Sequence, residues 1–159
     1  MGRLQQEIKK RGPFQSLEQE VFLNLVRTVD QLSGDSAQLL RRQGLTGSQY
    51  NVLRILRGAA EPLPCSEIAE RMIARDPDMT RLLDTLERQG WISRTRSQAD
   101  RRMVLSEITP AGLALLAPLD SAVVAMHAAQ FKHVTRSKLQ QLNALLEEVR
   151  PPRENKASE

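Results

Sequence analysis

Cysteine is nearly absent from this chain: Cys65 stands alone among 159 residues. No intrachain disulfide can form, so a reducing cytoplasm is the expected setting. The opening segment MGRLQQEIKK has no apolar run of the kind a signal peptide needs. Aromatic residues make up 3% of the chain, too few for composition to point at a ligand pocket. His127 and His133 are six apart, on opposite sides of a helix, and no Cys or Asp cluster joins them, so no metal site is expected. The most apolar window, Leu113 to Phe131, is interrupted by Pro118, Asp120, Ser121 and His127 and falls short of an uninterrupted membrane span. A Ser-His-Asp order, paired carboxylates with a plausible cleft and a phosphate-cradling glycine loop are all missing, which excludes an enzyme and leaves no cofactor to expect. There is no internal repeat and no low-complexity segment.

What is present suits one domain, or one domain with helices that complete their burial in a partner, because 40% of the residues are hydrophobic. The net charge is only +4, but the excess is unevenly spread. Arg94, Arg96, Arg101 and Arg102 crowd into one short segment. On charge alone such a patch is more often a solvated face than a nucleic-acid footprint; next to a helix it reads as the latter.

The stretch Leu63 to Thr109 organises the rest. It reads as a short helix from about Cys65 to Ile73, a turn of about three residues, a longer helix and a basic hairpin. Asp76-Pro77 is the expected start of the longer helix, with aspartate as N-cap and proline at the first helical position, and Gly90 its stop. Met79, Leu82, Leu83 and Leu86 fall on one helical face, while Arg81, Thr85 and Arg88 repeat on the other. A helix anchored by those leucines presents arginine and hydroxyl groups outward, and a DNA groove accepts such groups. After Gly90, alternation through Arg96, a polar loop from Ser97 to Arg102 and the run Met103 to Ile108 predict a β-hairpin with a basic tip.

Around this lobe, residues 1–15 read as a flexible basic arm with Arg3, Lys9, Lys10 and Arg11. Residues 16–43 read as a long helix with an apolar stripe from Leu17 to Leu32, ended by Gly44. Thr46-Gly47-Ser48-Gln49 is a capping box that opens a helix burying Val52, Leu53 and Leu56. Thr109-Pro110 restarts helix, Thr135 opens the last one, and residues 151–159 read as a disordered tail.

Two helices joined by a tight turn with a hairpin behind them form a winged helix-turn-helix. Three motifs then carry a resemblance: Thr80-Arg81-Leu82-Leu83-Asp84-Thr85-Leu86-Glu87-Arg88-Gln89-Gly90-Trp91-Ile92, Asp100-Arg101-Arg102, and Ile108-Thr109-Pro110-Ala111-Gly112. Together with Gly44-Leu45-Thr46 and Ser66-Glu67-Ile68-Ala69 they resemble the MarR family of bacterial and archaeal transcription regulators, over about residues 17–149. The resemblance implies a mainly α fold with a small β-wing: one domain over 16–150, in which 45–109 is the DNA-binding lobe and 16–43 and 110–150 are dimerisation helices. It also implies a homodimer on a pseudo-palindromic operator of double-stranded DNA, and a small aromatic or anionic effector in the crevice between the dimer helices and the lobe. The apolar stripes at both ends exceed what one lobe can cover, which argues independently for a partner copy.

By the same resemblance Asp100 orients Arg102, which enters the minor groove; Asp100 is then a clamp, and Arg101 the alternative groove residue. Arg75, Asp78, Thr80, Arg81 and Thr85 lie on the recognition helix's N-terminal and outward surface, with Arg94 and Arg96 on the wing. Which of them read bases stays open, since half or more of such contacts go to phosphate. Asp78 can equally stabilise the first helical turn. Cys65 reads as a small half-buried hydrophobe, because peroxide-sensing relatives carry their reactive cysteine in the first helix. The rival function is a winged-helix protein-interaction adaptor without DNA binding, which has no reason to keep a basic wing.

Overall fold

Thr46 opens the central helix of the lobe through a reciprocal cap: its hydroxyl accepts the Gln49 N–H at 3.2 Å while the Gln49 side chain accepts the Thr46 N–H at 2.9 Å. In the computed structural model, which describes residues 2–150, that helix is α3, Gly47–Gly58. Its Val52, Leu53 and Leu56 are buried as the apolar spacing requires. Before it, α1 spans Arg3–Glu7 and α2 spans Leu17–Arg41; after it come β1 (Leu63–Pro64), α4 (Cys65–Arg71), α5 (Met79–Arg88), β2 (Ile92–Arg96), β3 (Val104–Ile108), α6 (Pro110–Phe131) and α7 (Arg136–Val149). The fold is mainly α with a small wing.

One core closes the lobe. Leu40 at the end of α2, Val52 and Leu53 of α3, Ile68 of α4, Leu83 and Leu86 of α5, Ile92 of β2, and Leu116 and Leu119 of α6 pack into a single cluster. Gly44 and Gly90 both adopt left-handed backbone, at φ 71° and 73°. They let α2 and α5 stop sharply, and in each case the next N–H, of Leu45 or Trp91, returns to a carbonyl in the last helical turn.

Several expectations need correction. The expected loose arm contains α1, whose Leu4 is only 4% exposed, and Glu7 of α1 pairs with Arg27 of α2 at 3.8 Å. The wing is three-stranded, in the order β1-β3-β2, with Leu63 opposite Ser106 and Ile92 opposite Ile108. A two-residue strand is too short for alternation to reveal.

The recognition helix also starts later than Asp76-Pro77 predicts. The Asp76 carboxylate accepts the Asp78 N–H at 3.0 Å, so Pro77 sits in a turn; Asp78 is the N-cap, accepting the Arg81 N–H at 3.1 Å. The connection therefore runs from Met72 to Asp78 and is longer than the expected three residues. α6 continues past Pro118 to Phe131. It has the length and mean hydropathy, 1.5, of a membrane-crossing helix, yet its Leu116 and Leu119 are buried in the lobe core and its Asp120 is paired with Arg57 of α3. The expected tail, 151–159, lies outside the described residues.

Candidate nucleic-acid interface

The wing is built from short-range hydrogen bonds. Ser97 is buried; its N–H reaches the Met103 carbonyl at 2.9 Å, and its hydroxyl accepts the Asp100 N–H at 3.3 Å. The Met103 N–H returns to the Asp100 carbonyl at 2.9 Å. Asp100 then accepts the Arg102 N–H on its carboxylate at 2.9 Å. The aspartate thus orients Arg102 through the backbone, as an Asx turn, where the expectation had a clamp on the arginine. This leaves the guanidinium groups of Arg96, Arg101 and Arg102 exposed and, among the described residues, without an ion-pair or hydrogen-bond partner.

On α5 and the turn before it, Arg75, Thr80 and Arg81 are exposed. Thr85 is half-buried: its hydroxyl donates to the Arg81 carbonyl of its own helix at 2.8 Å and accepts from Arg88 at 3.3 Å. Only its methyl and an acceptor lone pair remain for a base. Asp78, for which two roles were open, has its carboxylate on the Arg81 N–H, the stabilising role.

Arg94 differs from the other wing arginines. Its Nε donates to Glu87 at 2.8 Å and its Nη2 to Asp84 at 2.5 Å, both carboxylates standing on α5. Partial burial works against its charge, but the hydrogen bonds from its guanidinium to Glu87 and Asp84 outweigh that and raise its pKa above the usual arginine range. Sequence reasoning missed Asp84, Glu87 and Ser97 as parts of the site. The spacing of Asp84 and Glu87 was visible, but which strand residue meets them is decided only by packing.

A second feature lies on the inner side of the lobe. A cavity of about 640 Å³ is lined by Leu39, Leu40, Tyr50, Met72, Ile73, Val123 and Met126, with Arg54, Asn51 and His127 as polar members. It adjoins the segment that leads into α5. There Asn51 Oδ1 accepts the Ile73 N–H at 2.9 Å, tying that segment to α3.

The sequence model of the MarR family matches residues 45–104. Curated relatives include the HTH-type transcriptional repressor MdtR of Bacillus subtilis, 31% identical over 96 residues; the match covers 60% of this chain and 61% of that protein's length. Among solved structures, a MarR transcription factor from Planctomyces limnophilus is 38% identical, with 85% of this chain and 98% of that one covered at a TM-score of 0.65. A mutant of MarR from E. coli, complexed with operator DNA, is 27% identical over 86% of this chain and 99% of that one, at a TM-score of 0.71. CouR from Rhodococcus jostii RHA1, bound to p-coumaroyl-CoA, is 26% identical over 86% and 95%, at a TM-score of 0.72. These relatives are regulators, not enzymes. By motif, fold and similarity alike, the chain belongs to the MarR family of transcription regulators.

Proposed function

We propose that this chain is a sequence-specific transcription regulator that binds a pseudo-palindromic operator as a homodimer in the cytoplasm. The observation that carries the reading is the set of guanidinium groups at the wing tip, Arg96, Arg101 and Arg102, unpartnered among the described residues, beside an amphipathic helix whose Arg81 and Thr80 face outward. A recognition helix in the major groove and an arginine in the narrow, strongly negative minor groove use these groups as they stand. Thr85 on α5 and Arg75 on the connection before it extend this surface, and Asp100 holds the wing loop. A protein-docking adaptor has no use for free arginines there.

The lobe is residues 45–109. Dimerisation belongs to 16–43 and 110–150, where apolar side chains stand in solvent: Phe22 is 63% exposed and Leu145 58%. Burying such residues is worth about 1.5–3 kcal/mol each before association costs. Repression is the favoured direction, as in MdtR. The cavity beside the Met72–Asp78 connection is the proposed effector site. Its apolar walls and Arg54 suit a small apolar or aromatic body with a negative charge.

Footprinting of the purified protein on genomic DNA tests the reading. The expected result is protection of a two-fold site whose half-sites are about 34–36 Å apart. Binding with no sequence preference at any salt concentration would overturn it.

A further inference from the structure

Within this DNA-binding reading, on which the inference rests, we propose that Arg94 is a positioning residue: it sets the wing against the recognition helix and does not touch the duplex. Arg94 stands on β2, opposite Ser106 of β3. Asp84 and Glu87 are three residues apart on α5 and so share a helix face. The guanidinium is a rigid planar fork, and here it bonds to both acids at once, at 2.5 and 2.8 Å. Two bonds from one planar group fix both where the strand lies along the helix and how it is rotated about it. Its side chain is 23% exposed, whereas Arg96, Arg101 and Arg102 are exposed and, among the described residues, unpaired. Two carboxylates offset the charge of Arg94 and hold its guanidinium against α5, so it offers a phosphate far less than the unpaired arginines do.

The arrangement matters because DNA meets two separate elements. Side chains of α5 face one groove and the wing tip the next, so the helix-to-wing angle decides whether both can engage together. β2 leaves α5 and runs directly into the tip, which makes it a lever: a small rotation at Arg94 becomes a larger displacement at Arg101 and Arg102.

Positioning and plain charge make opposite forecasts for the acids. If Asp84 and Glu87 matter only as negative charges near phosphate, removing them strengthens binding. If they anchor Arg94, removing them weakens it, although the protomer becomes more positive. The test uses a duplex selected from a random library by the parent protein, with affinity measured across salt, hydroxyl-radical footprints and a melting curve for each variant. Arg94→Gln is expected to bind about tenfold or more weakly, the scale of one lost charge-assisted hydrogen bond, with the parent's salt dependence. Its wing protection in the minor groove should fade while recognition-helix protection stays. Arg94→Lys should be intermediate, since one ammonium reaches one acid well. The double variant Asp84→Ala/Glu87→Ala should also bind more weakly than the parent.

The positioning role is overturned if Arg94→Gln flattens the log affinity versus log salt slope by about one unit per protomer, the mark of a direct phosphate contact. It is equally overturned if the acid double variant binds more tightly than the parent. Should Arg94→Gln fail to fold, Arg94→Lys and the acid variant carry the decision. A parent that selects no duplex at all sinks the DNA-binding reading and this role with it; a binding parent with the contrary variant pattern sinks this role alone.

Discussion

At the scale of single residues, the wing and the helix should fail differently when altered. Arg102→Ala removes an exposed guanidinium held out by the Asp100 turn, so affinity should fall with little change in preferred sequence, because the minor groove is read mainly for width and A·T content. Titration against matched and mutated operators over a range of salt checks this, with an expected loss of about one unit of slope per site. Arg81→Ala, at an exposed position on α5, should instead relax preference at particular base pairs by about 1–3 kcal/mol. Gly112 makes a different point. A Cβ there would lie 2.3 Å from the Trp91 carbonyl oxygen and 2.8 Å from Ile108, at a junction where Thr109 donates from its N–H to the Trp91 carbonyl and from its hydroxyl to the Gly90 carbonyl. Gly112→Ala should therefore cost about 1–3 kcal/mol in a urea titration, the scale of overpacking. The motif Thr109-Pro110-Ala111-Gly112 could be seen in the sequence; the crowding that demands its glycine could not, because the crowding carbonyl comes from another turn of chain.

At the scale of elements, the ends of helices were legible wherever a cap is local. Thr46, Thr109 and Thr135 each accept an N–H three residues on, at 3.2, 3.1 and 3.4 Å, and each was readable as a threonine before a helix. α5 was misplaced because two aspartates flank Pro77, both able to cap, and the Asx turn at Asp76 decides between them. Between elements, Arg57 of α3 and Asp120 of α6 form a two-pronged pair at 2.9 and 2.8 Å. Hydrogen bonds from Arg57 hold the Asp120 carboxyl below its ordinary value of 3.8. Since the folded pKa is the lower one, the pair's contribution to stability is present above about pH 4 and is lost as pH falls through the depressed value. Asp120→Asn should leave a shallower acid limb in melting temperature against pH, with less change at neutral pH than a buried pair would give.

For the whole molecule, the exposed apolar residues set the expectation. Leu17, Val21, Phe22, Val26 and Val29 lie along α2, and α7 has no buried residue at all, with Leu142, Leu145 and Val149 in solvent. The lobe core includes only Leu40 from the buried residues of α2. The double variant Phe22→Asp/Val26→Asp should thus give a monomer by sedimentation with its lobe still folded, and operator binding should collapse because two half-sites are no longer held together. A dimer of parental strength would remove these helices from the interface. For effector control, a ligand in the cavity should act through the connection that Asn51 ties at Ile73. A screen of small aromatic acids by melting shift and operator release checks this, and compounds that raise the melting temperature should be the ones that lower affinity for DNA.

The sequence alone determined the long helices, the threonine caps and the basic hairpin, because hydrophobic period and capping are local properties written in neighbouring residues. It also carried the family, through motifs in a fixed order. Tertiary structure decided which charges are free. Four wing arginines look alike in a string of letters, yet packing β2 against α5 gives Arg94 two carboxylates and leaves Arg96, Arg101 and Arg102 exposed. It likewise decided that Leu63 and Pro64 form a third strand, that Leu4 of the arm is buried, and that Met72 and Ile73 wall a cavity with Val123 and Met126. Each depends on which distant segment arrives beside a residue, and such meetings are settled by the burial of the shared core and not by local pattern.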